Sequence, residues 1–339
     1  MEANLGCHGN SCMTGAAKLP EPEGRVADAS RDNWVDRYAP APARPYLRLS
    51  RADRPIGTWL LLLPCWWAIA LAAAADAPSL WDLWLALGCA IGAFVMRGAG
   101  CTWNDITDRK FDARVARTRS RPIPSGQVSV KQAVVWMGVQ ALLGFLVLIT
   151  LPPLAIGLGV GSLALVAIYP FAKRFTWWPQ LFLGLAFNWG ALLAWAAHDN
   201  SIGWPAVLMW VAGICWTLFY DTIYAHQDKE DDALIGVKST ARLFAENTGR
   251  WLFGFQIAAV LLLTASVLLA LLPAGASGLS IGLALAGVWL FAGHLTWQLG
   301  RLETENTDLC LRLFKSNREA GLILALFLAG AALAALIPA

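Results

Sequence analysis

The sequence predicts an all-α polytopic membrane protein: a bundle of nine transmembrane helices with Asp-rich helix and loop extensions on one side. Of its 339 residues, 57% are hydrophobic and only 14% are charged, whereas a soluble domain carries roughly a quarter charged residues. Apolar runs of about 20 residues, long enough to cross a bilayer as helices, recur through the chain. The placement of the basic residues supports the same fold class.

Composition divides the chain into two regions. Residues 1–45 are polar, carry charges of both signs and show no apolar period, which predicts a disordered tail. Residues 46–339 are predicted to form one nine-helix domain. Pro residues lie at or near many of the expected span ends, where a missing N–H costs least. The spans are expected at about 56–75, 81–101, 131–151, 154–171, 180–198, 204–222, 250–272, 278–298 and 319–337.

The positive charges fix the orientation of these spans. If the N-terminus is cytoplasmic, all 26 Lys and Arg residues fall in cytoplasmic segments or at the helix ends beside them. The short connections on the other side hold none, so the positive-inside bias is complete. The sequence therefore predicts a multi-pass membrane protein with a cytoplasmic N-terminus and with the C-terminus on the opposite side.

A polar stretch from Arg97 to Gly126 follows the second span. Asn104, Asp108 and Asp112 recur every fourth residue, so on a helix they lie on nearly the same face. Three oxygen-bearing side chains on one face suit Mg²⁺, which takes oxygen ligands. Basic residues are interleaved with them, which indicates a metal-bridged phosphate site. The alternative is a solvated basic loop of a membrane protein.

A second acidic cluster lies between the sixth and seventh spans. Asp221, Asp228 and Asp232 also fall on one helical stripe at about 100° per residue. Both clusters begin inside a span and continue into a loop on the same side of the membrane. Facing each other, they would hold two Mg²⁺ ions that grip one diphosphate. The alternative is a pair of helix extensions held by intrahelical ion pairs, such as Asp228 or Asp232 with Lys229.

The two acidic stretches have specific forms. The first is N-D-x-x-D-x-x-x-D, beginning at Asn104, and the second is D-x-x-Y-A-x-x-D-x-x-D-D, beginning at Asp221. In these motifs the chain resembles the UbiA superfamily of intramembrane prenyltransferases, in the branch that acts on 4-hydroxybenzoate. The matching segments are RADRPIGTWLLLLPCWWA (51–68), MRGAGCTWNDITDRKFD (96–112), RTRSRPIPSG (117–126), YPFAKRFTWWPQ (169–180) and YDTIYAHQDKEDDALIGVKSTA (220–241).

The resemblance implies a fold, an activity and a cofactor. The fold is the nine-helix bundle of the family. The activity is transfer of a polyprenyl group from its diphosphate to the ring carbon ortho to the phenol of 4-hydroxybenzoate, with release of diphosphate, in ubiquinone biosynthesis. The cofactor is Mg²⁺. The expected partners are therefore 4-hydroxybenzoate, a long-chain polyprenyl diphosphate and the lipid bilayer, with no nucleic acid. Because the resemblance is to the bacterial members of this branch, the expected location is the bacterial inner (plasma) membrane, with the active site on the cytoplasmic side.

The resemblance also implies the metal ligands and the catalytic set. Asn104, Asp108 and Asp112 are the expected ligands of one Mg²⁺, and Asp228 and Asp232 are the expected ligands of the other. The expected catalytic residues are Asp108, Asp112, Asp228, Asp232 and Arg174.

Substrate contacts follow from the same resemblance. Arg174 is expected to bind the benzoate carboxylate through its guanidinium fork, with Lys173 as the weaker candidate. The alternative for both is topological anchoring at a helix end. Asp221 or Tyr224 is expected to orient or deprotonate the phenol. The candidates for diphosphate contact are Arg97, Lys110, Arg121 and Lys238.

Two other functions remain open at this point. One is a prenyltransferase that uses another aromatic acceptor. The other, from a different class, is a membrane transporter in which intramembrane Asp and Arg residues relay ions. Against transport, the charges cluster at one face of the predicted bundle rather than at its middle.

Overall fold

The computed structural model describes residues 33–114, 118–230, 233 and 236–337. These residues form helices joined by short connections, and none of the described residues lies in a β-strand. In chain order the helices are α1 (Trp34–Tyr38), α2 (Arg44–Leu49), α3 (Ile56–Ala75), α4 (Leu80–Asp112), α5 (Val130–Leu148), α6 (Pro153–Phe175), α7 (Pro179–Asp199), α8 (Trp204–Ala225), α9 (Thr240–Phe244), α10 (Thr248–Leu271), α11 (Gly278–Arg301), α12 (Thr307–Lys315) and α13 (Asn317–Ala334).

The predicted span count is confirmed. Within the described ranges, nine helical segments are long and apolar enough to cross a membrane. They contain α3 to α8, α10, α11 and α13, each at the position expected from the sequence. The connections α4–α5, α6–α7, α8–α9 and α11–α12 all lie on the side that carries the Lys and Arg residues, which is called the basic side below.

The length of α4 is the feature that positions the site. Its 33 residues extend about 50 Å at 1.5 Å per residue, whereas the hydrocarbon core of a bilayer is about 30 Å thick. The helix begins at a capping box between Ser79 and Asp82 on the side opposite the basic side. The last three turns of α4 therefore project beyond the apolar layer and carry the first acidic motif.

Packing separates central helices from peripheral ones. In α3 and in α8, 67% of the 18-residue apolar stretch is buried inside the protein, whereas in α5 and in α6 only 11% is buried. The helices α5 and α6 therefore present most of their surface to lipid. The centre holds Trp67, Trp216 and Phe291, with the two indole rings 4.9 Å apart. Each buried indole N–H donates a hydrogen bond, Trp67 to the carbonyl of Gly321 (2.8 Å) and Trp216 to Asn317 Oδ1 (2.9 Å).

Residues 33–45 belong with the folded domain, which corrects the predicted tail boundary at residue 45. The indole of Trp34 donates to the carbonyl of Ala52 over 2.7 Å, and Arg48 Nη2 lies 2.7 Å from Asp36 Oδ1. The polar composition of this segment predicted no helices, but the structure has two short ones, α1 and α2, held by these contacts. Residues 1–32, which make up the rest of the predicted tail, lie outside the described residues.

Candidate active site

The first acidic motif forms one face of the α4 extension, as its spacing predicts. Asp108 is 1% exposed and Asp112 is 7% exposed, and Asn104 lines the large cavity described below. Asp105, one position along from Asn104, is completely buried. The carboxylates are therefore directed into the protein and not into solvent, which excludes the alternative of a solvated loop for this part of the motif.

Two cations from the end of α6 hold Asp108. Lys173 Nζ lies 2.5 Å from Asp108 Oδ2, and Arg174 Nη2 lies 3.2 Å from Asp108 Oδ1. The Arg174 guanidinium also lies over the rings of Phe111 and Phe171, at 5.2 and 5.0 Å from their centroids. Both residues therefore contact an acidic site residue, which is more than the anchoring alternative requires.

Arg121 connects the remaining two carboxylates of the extension. The chain turns back after α4, where the Thr118 hydroxyl donates to the carbonyl of Asp112 over 2.9 Å. Arg121 Nη1 then lies 2.8 Å from Asp112 Oδ2 and 3.4 Å from Asp105 Oδ1. Arg51 Nη2 approaches the same Asp105 oxygen to 2.6 Å. Asp105 is thus shared by two guanidinium groups.

Arg51 and Asp105 were not among the site residues predicted from the sequence. Arg51 is buried and has a left-handed backbone, with φ of 57°, which is uncommon for a residue other than Gly. Burial alone would lower the pKa of its guanidinium, but the neighbouring charges, chiefly Asp105, raise that pKa overall. Their positions in the sequence could have identified both as site residues, because Arg51 is the first residue of the first matching segment and Asp105 lies within the first acidic motif.

The second cluster meets the first around Arg97 and Tyr169. The Asp221 carboxylate interacts electrostatically with Arg97 and with Asp228. Tyr169, near the end of α6, interacts electrostatically with both Asp221 and Asp108. The guanidinium of Arg97 lies over the ring of Phe187 (5.2 Å), and its Nε is buried with no hydrogen-bond partner among the residues that the structure describes. Tyr169 was quoted in a matching segment but was not predicted as a site residue.

The remaining predicted residues occupy different surroundings. The Lys238 N–H donates to the carbonyl of Lys173 (3.3 Å), which ties the loop after the second cluster to the end of α6. The Tyr224 ring lies 4.5 Å from that of Phe314. Lys110 is exposed on the α4 extension, and its predicted role in diphosphate contact stays a prediction. Asp232 lies outside the described residues.

A cavity of about 430 Å³ runs beside these groups, between α3, α4, α5, α6 and α7. Arg51, Arg97, Asn104 and Arg121 line its end on the basic side, and Leu85 lies towards the other end. The 19 residues that separate Leu85 from Asn104 on α4 correspond to about 28 Å along the helix. The cavity therefore has a cationic end and a long apolar body.

The donor set was compared with what Mg²⁺ requires. In the described ranges, no three His, Cys, Asp or Glu side chains converge on one metal-sized position. Asn104, Asp108 and Asp112 nevertheless offer one amide and two carboxylates on consecutive turns of α4. Mg²⁺ in proteins is bound through one or two carboxylates plus substrate phosphates and waters. These residues fit such an ion if the cations that now pair with the carboxylates move aside.

Comparisons with known proteins identify the family of the chain. A family model described as the UbiA prenyltransferase family matches residues 61–319. The chain belongs to this family. Membership of this family favours the enzymatic prediction over the transporter alternative.

Individual relatives extend the comparison. The mitochondrial 4-hydroxybenzoate polyprenyltransferase of Homo sapiens is 48% identical over 307 residues, which cover 90% of this chain and 79% of that protein. The enzyme of the same name from Aedes aegypti is 49% identical over 289 residues, covering 83% of this chain and 62% of the mosquito protein. The chain therefore spans less than two thirds of the length of the mosquito relative.

A solved structure supports the fold. A UbiA homologue from Archaeoglobus fulgidus, bound to GPP and Mg²⁺, superposes with a TM-score of 0.64 at 20% identity. The match covers 86% of this chain and 100% of that chain. The predicted UbiA-type nine-helix fold is confirmed by this likeness.

The predicted location in a bacterial inner membrane is wrong. The relatives reported above are mitochondrial enzymes of eukaryotes by name. The charge bias along a chain indicates which loops share a side of the membrane, but it does not identify the membrane. The multi-pass part of the prediction is confirmed by the membrane-spanning helices of this family member.

Proposed function

We propose that this chain transfers a polyprenyl group from polyprenyl diphosphate to the ring carbon ortho to the phenol of 4-hydroxybenzoate, in a Mg²⁺-dependent reaction. The allylic C–O bond breaks, diphosphate leaves, a C–C bond forms to the ring, and the ring proton passes to a base. The observation that carries the proposal is the two-part cavity, which extends about 28 Å along α4, with cations at one end and an apolar body beyond them. The names of the relatives supply the substrates.

The cationic end of the cavity suits the diphosphate. Arg51, Arg97 and Arg121 all line it, and guanidinium groups bind phosphate oxygens through paired N–H donors. Within the described part of the chain, the Nε of Arg97 has no hydrogen-bond partner, so this side chain has a donor to offer to the diphosphate. Cations placed where negative charge develops on the leaving group lower the barrier to C–O cleavage.

The metal site is proposed on the two acidic clusters. Asn104, Asp108 and Asp112 would hold one Mg²⁺, and Asp228 with Asp232 would hold the other. When bound, Mg²⁺ supplies Lewis-acid stabilisation of the leaving diphosphate. The chain's own contribution is to bury Asp108 and Asp112 and to pair them with Lys and Arg side chains.

The apolar body of the cavity suits the prenyl chain. Leu148 and Leu193 line it together with small residues such as Gly92 and Gly159, which leave room between the helices. At Gly159 an added Cβ would contact the side chain of Leu148, so the groove is narrow at that point. An apolar enclosure also keeps water away from an allylic cation, which water would otherwise quench.

The aromatic acceptor is proposed to lie where α6 approaches both clusters. Arg174 and Lys173 would exchange part of their contact with Asp108 for the benzoate carboxylate once the substrates are bound. Tyr169 interacts electrostatically with Asp108 and with Asp221. Its hydroxyl is therefore suited to orient the phenol. Asp221 is proposed to accept the phenolic or ring proton, with Tyr224 as the alternative residue.

An assay of isolated membranes tests the proposal. Membranes containing the protein, 4-hydroxybenzoate and a long allylic diphosphate should release pyrophosphate and form a prenylated acid. Activity should disappear with EDTA and return with added Mg²⁺. A panel of other aromatic acids separates this function from that of a prenyltransferase with another acceptor. Full turnover in chelator would refute the metal requirement, and no product with any acid would refute the proposed activity.

A further inference from the structure

A second cavity lies apart from the active-site cavity on the basic side of the membrane. It is also about 430 Å³ in volume and lies between the first turn of α3 and the junction of α12 with α13. None of its lining residues lines the first cavity. Neither the proposed reaction nor the acidic motifs use it.

The lining of this cavity is rich in cations. Arg54, Arg312, Lys315 and Arg318 line it, against the carboxylates of Asp53 and Glu319. Arg318 pairs with Glu319, and Arg54 Nε lies 3.5 Å from Asp53 Oδ1. Arg312 and Lys315 form no ion pair with any residue of the described ranges. Two cations at the cavity are therefore not neutralised by those carboxylates.

Apolar groups complete the lining at membrane depth. Ile56 and Trp59 belong to the first turn of the membrane-spanning helix α3, and both face the cavity. Trp59 packs edge-on against Trp66 at 6.0 Å, about two turns further along α3. A Trp at this position is typical of the interface, where an apolar body meets polar headgroups. The cavity thus joins a cationic rim to an apolar floor.

The α12–α13 junction is held in place by buried hydrogen bonds. Asn317 accepts from the indole of Trp216 on α8 (2.9 Å) and donates to Gln298 on α11 (3.0 Å). The carbonyl of Ser316, a lining residue, lies 2.9 Å from His294 Nε2, also on α11. The backbone that carries Arg312 and Lys315 is therefore fixed against two membrane helices before any ligand arrives.

We propose that this second cavity binds the phosphate-bearing headgroup of an anionic phospholipid. Basic pockets between membrane helices recognise such headgroups through Lys and Arg. Free phosphate or pyrophosphate shares the anion chemistry, but neither has an apolar part for Ile56 and Trp59 to contact. The headgroup phosphate lies against Arg312 and Lys315, and the start of its acyl chains lies on Trp59.

Lipid titration of the purified full-length protein tests the proposal. Detergent-solubilised protein is titrated with dioleoyl-phosphatidylglycerol or dioleoyl-phosphatidylcholine, and bound lipid is counted by native mass spectrometry. The pocket variant is Arg312→Gln/Lys315→Gln. The matched control is Lys131→Gln/Arg250→Gln, which removes the same charge from exposed positions on the same side. Thermal unfolding in the same detergent checks that both variants are folded.

The expected result is a specific loss of the anionic lipid. The pocket variant should bind phosphatidylglycerol roughly 30-fold more weakly than the wild type, equivalent to about 2 kcal/mol. The control variant and all phosphatidylcholine titrations should be unchanged. Equal losses in the pocket and control variants would mean general surface charge and would overturn the proposal.

A competition experiment on the wild-type protein separates the two sources of phosphate. Inorganic pyrophosphate is added at millimolar concentration to protein loaded with phosphatidylglycerol. Retention of the lipid supports a headgroup site. Displacement of the lipid by pyrophosphate alone would assign the cavity to a free anion and contradict the proposal. Neither outcome depends on the prenyl transfer reaction, so failure here leaves the proposed function untouched.

Discussion

Replacing Asp105 with Asn should destabilise the protein by leaving a buried guanidinium without its counter-ion. The side chain of Asp105 is fully buried and that of Arg51 is 9% exposed, with the charged groups 2.6 Å apart. Removal of one partner of such a pair typically lowers the free energy of unfolding by about 3–5 kcal/mol. Arg121 still keeps its 2.8 Å contact with Asp112, so the expected loss is near the lower end, about 3 kcal/mol.

The assay is thermal unfolding in detergent, followed by the fluorescence of the 18 tryptophans. At about 2–4 °C per kcal/mol, the Tm of Asp105→Asn should fall by roughly 6–12 °C. Asp308→Asn is the matched control, because it removes the same charge from an exposed position on α12. Arg51→Met/Asp105→Leu should recover most of the loss, since replacing a whole buried pair by apolar groups is close to neutral.

The variant also separates two roles for Asp105, whose Oδ2 is buried and accepts no hydrogen bond from the residues described in the structure. If Asp105→Asn unfolds at the same temperature as Asp308→Asn, the ion pair with Arg51 does not stabilise the fold and the reasoning is refuted. If only the Mg²⁺ requirement of the enzyme then changes, Asp105 is a metal ligand and not the centre of a structural ion-pair network.

Four further substitutions test the site. Asp108→Ala and Asp228→Ala should each abolish prenyl transfer while the protein still inserts and folds; wild-type turnover in either would refute the metal assignment. Arg174→Ala should raise the KM for the aromatic acid at least tenfold, and an unchanged KM would move the carboxylate pocket elsewhere. Tyr169→Phe should lower kcat at least tenfold with little change in KM for the diphosphate; an unaffected kcat would remove the hydroxyl from the acceptor site.

Periodicity and charge placement were sufficient to predict the architecture. Nine apolar segments and a one-sided distribution of Lys and Arg allow few topologies, because each span reverses the side of the next loop. The α4 extension was also predictable, since Asn104, Asp108 and Asp112 keep the helical spacing beyond the apolar run. Span positions and helical faces can be predicted from local sequence because both follow from the repeat of the α-helix.

The pairing of charges was not predictable in the same way. Lys173 contacts Asp108 across 65 positions of the chain, and Arg51 contacts Asp105 across 54. Such contacts depend on how α6 and the segment before α3 dock against α4, which no local pattern reports. The left-handed backbone of Arg51 is likewise imposed by tertiary structure, since nothing in its sequence neighbourhood requires it. The helices at 34–49 were missed for the same reason.

The ion pairs explain why basic residues are interleaved with the acidic motif. Asp105, Asp108 and Asp112 are buried within two turns of one helix, and their mutual repulsion would disfavour ionisation if they were alone. Arg121 and Lys173 neutralise them in the structure. Arg121 also lines the cationic end of the cavity, where phosphate oxygens can replace the carboxylates as its partners. Because the carboxylates are then left for Mg²⁺, metal and diphosphate are expected to bind together more tightly than either binds alone, which titration of each in the presence of the other would measure.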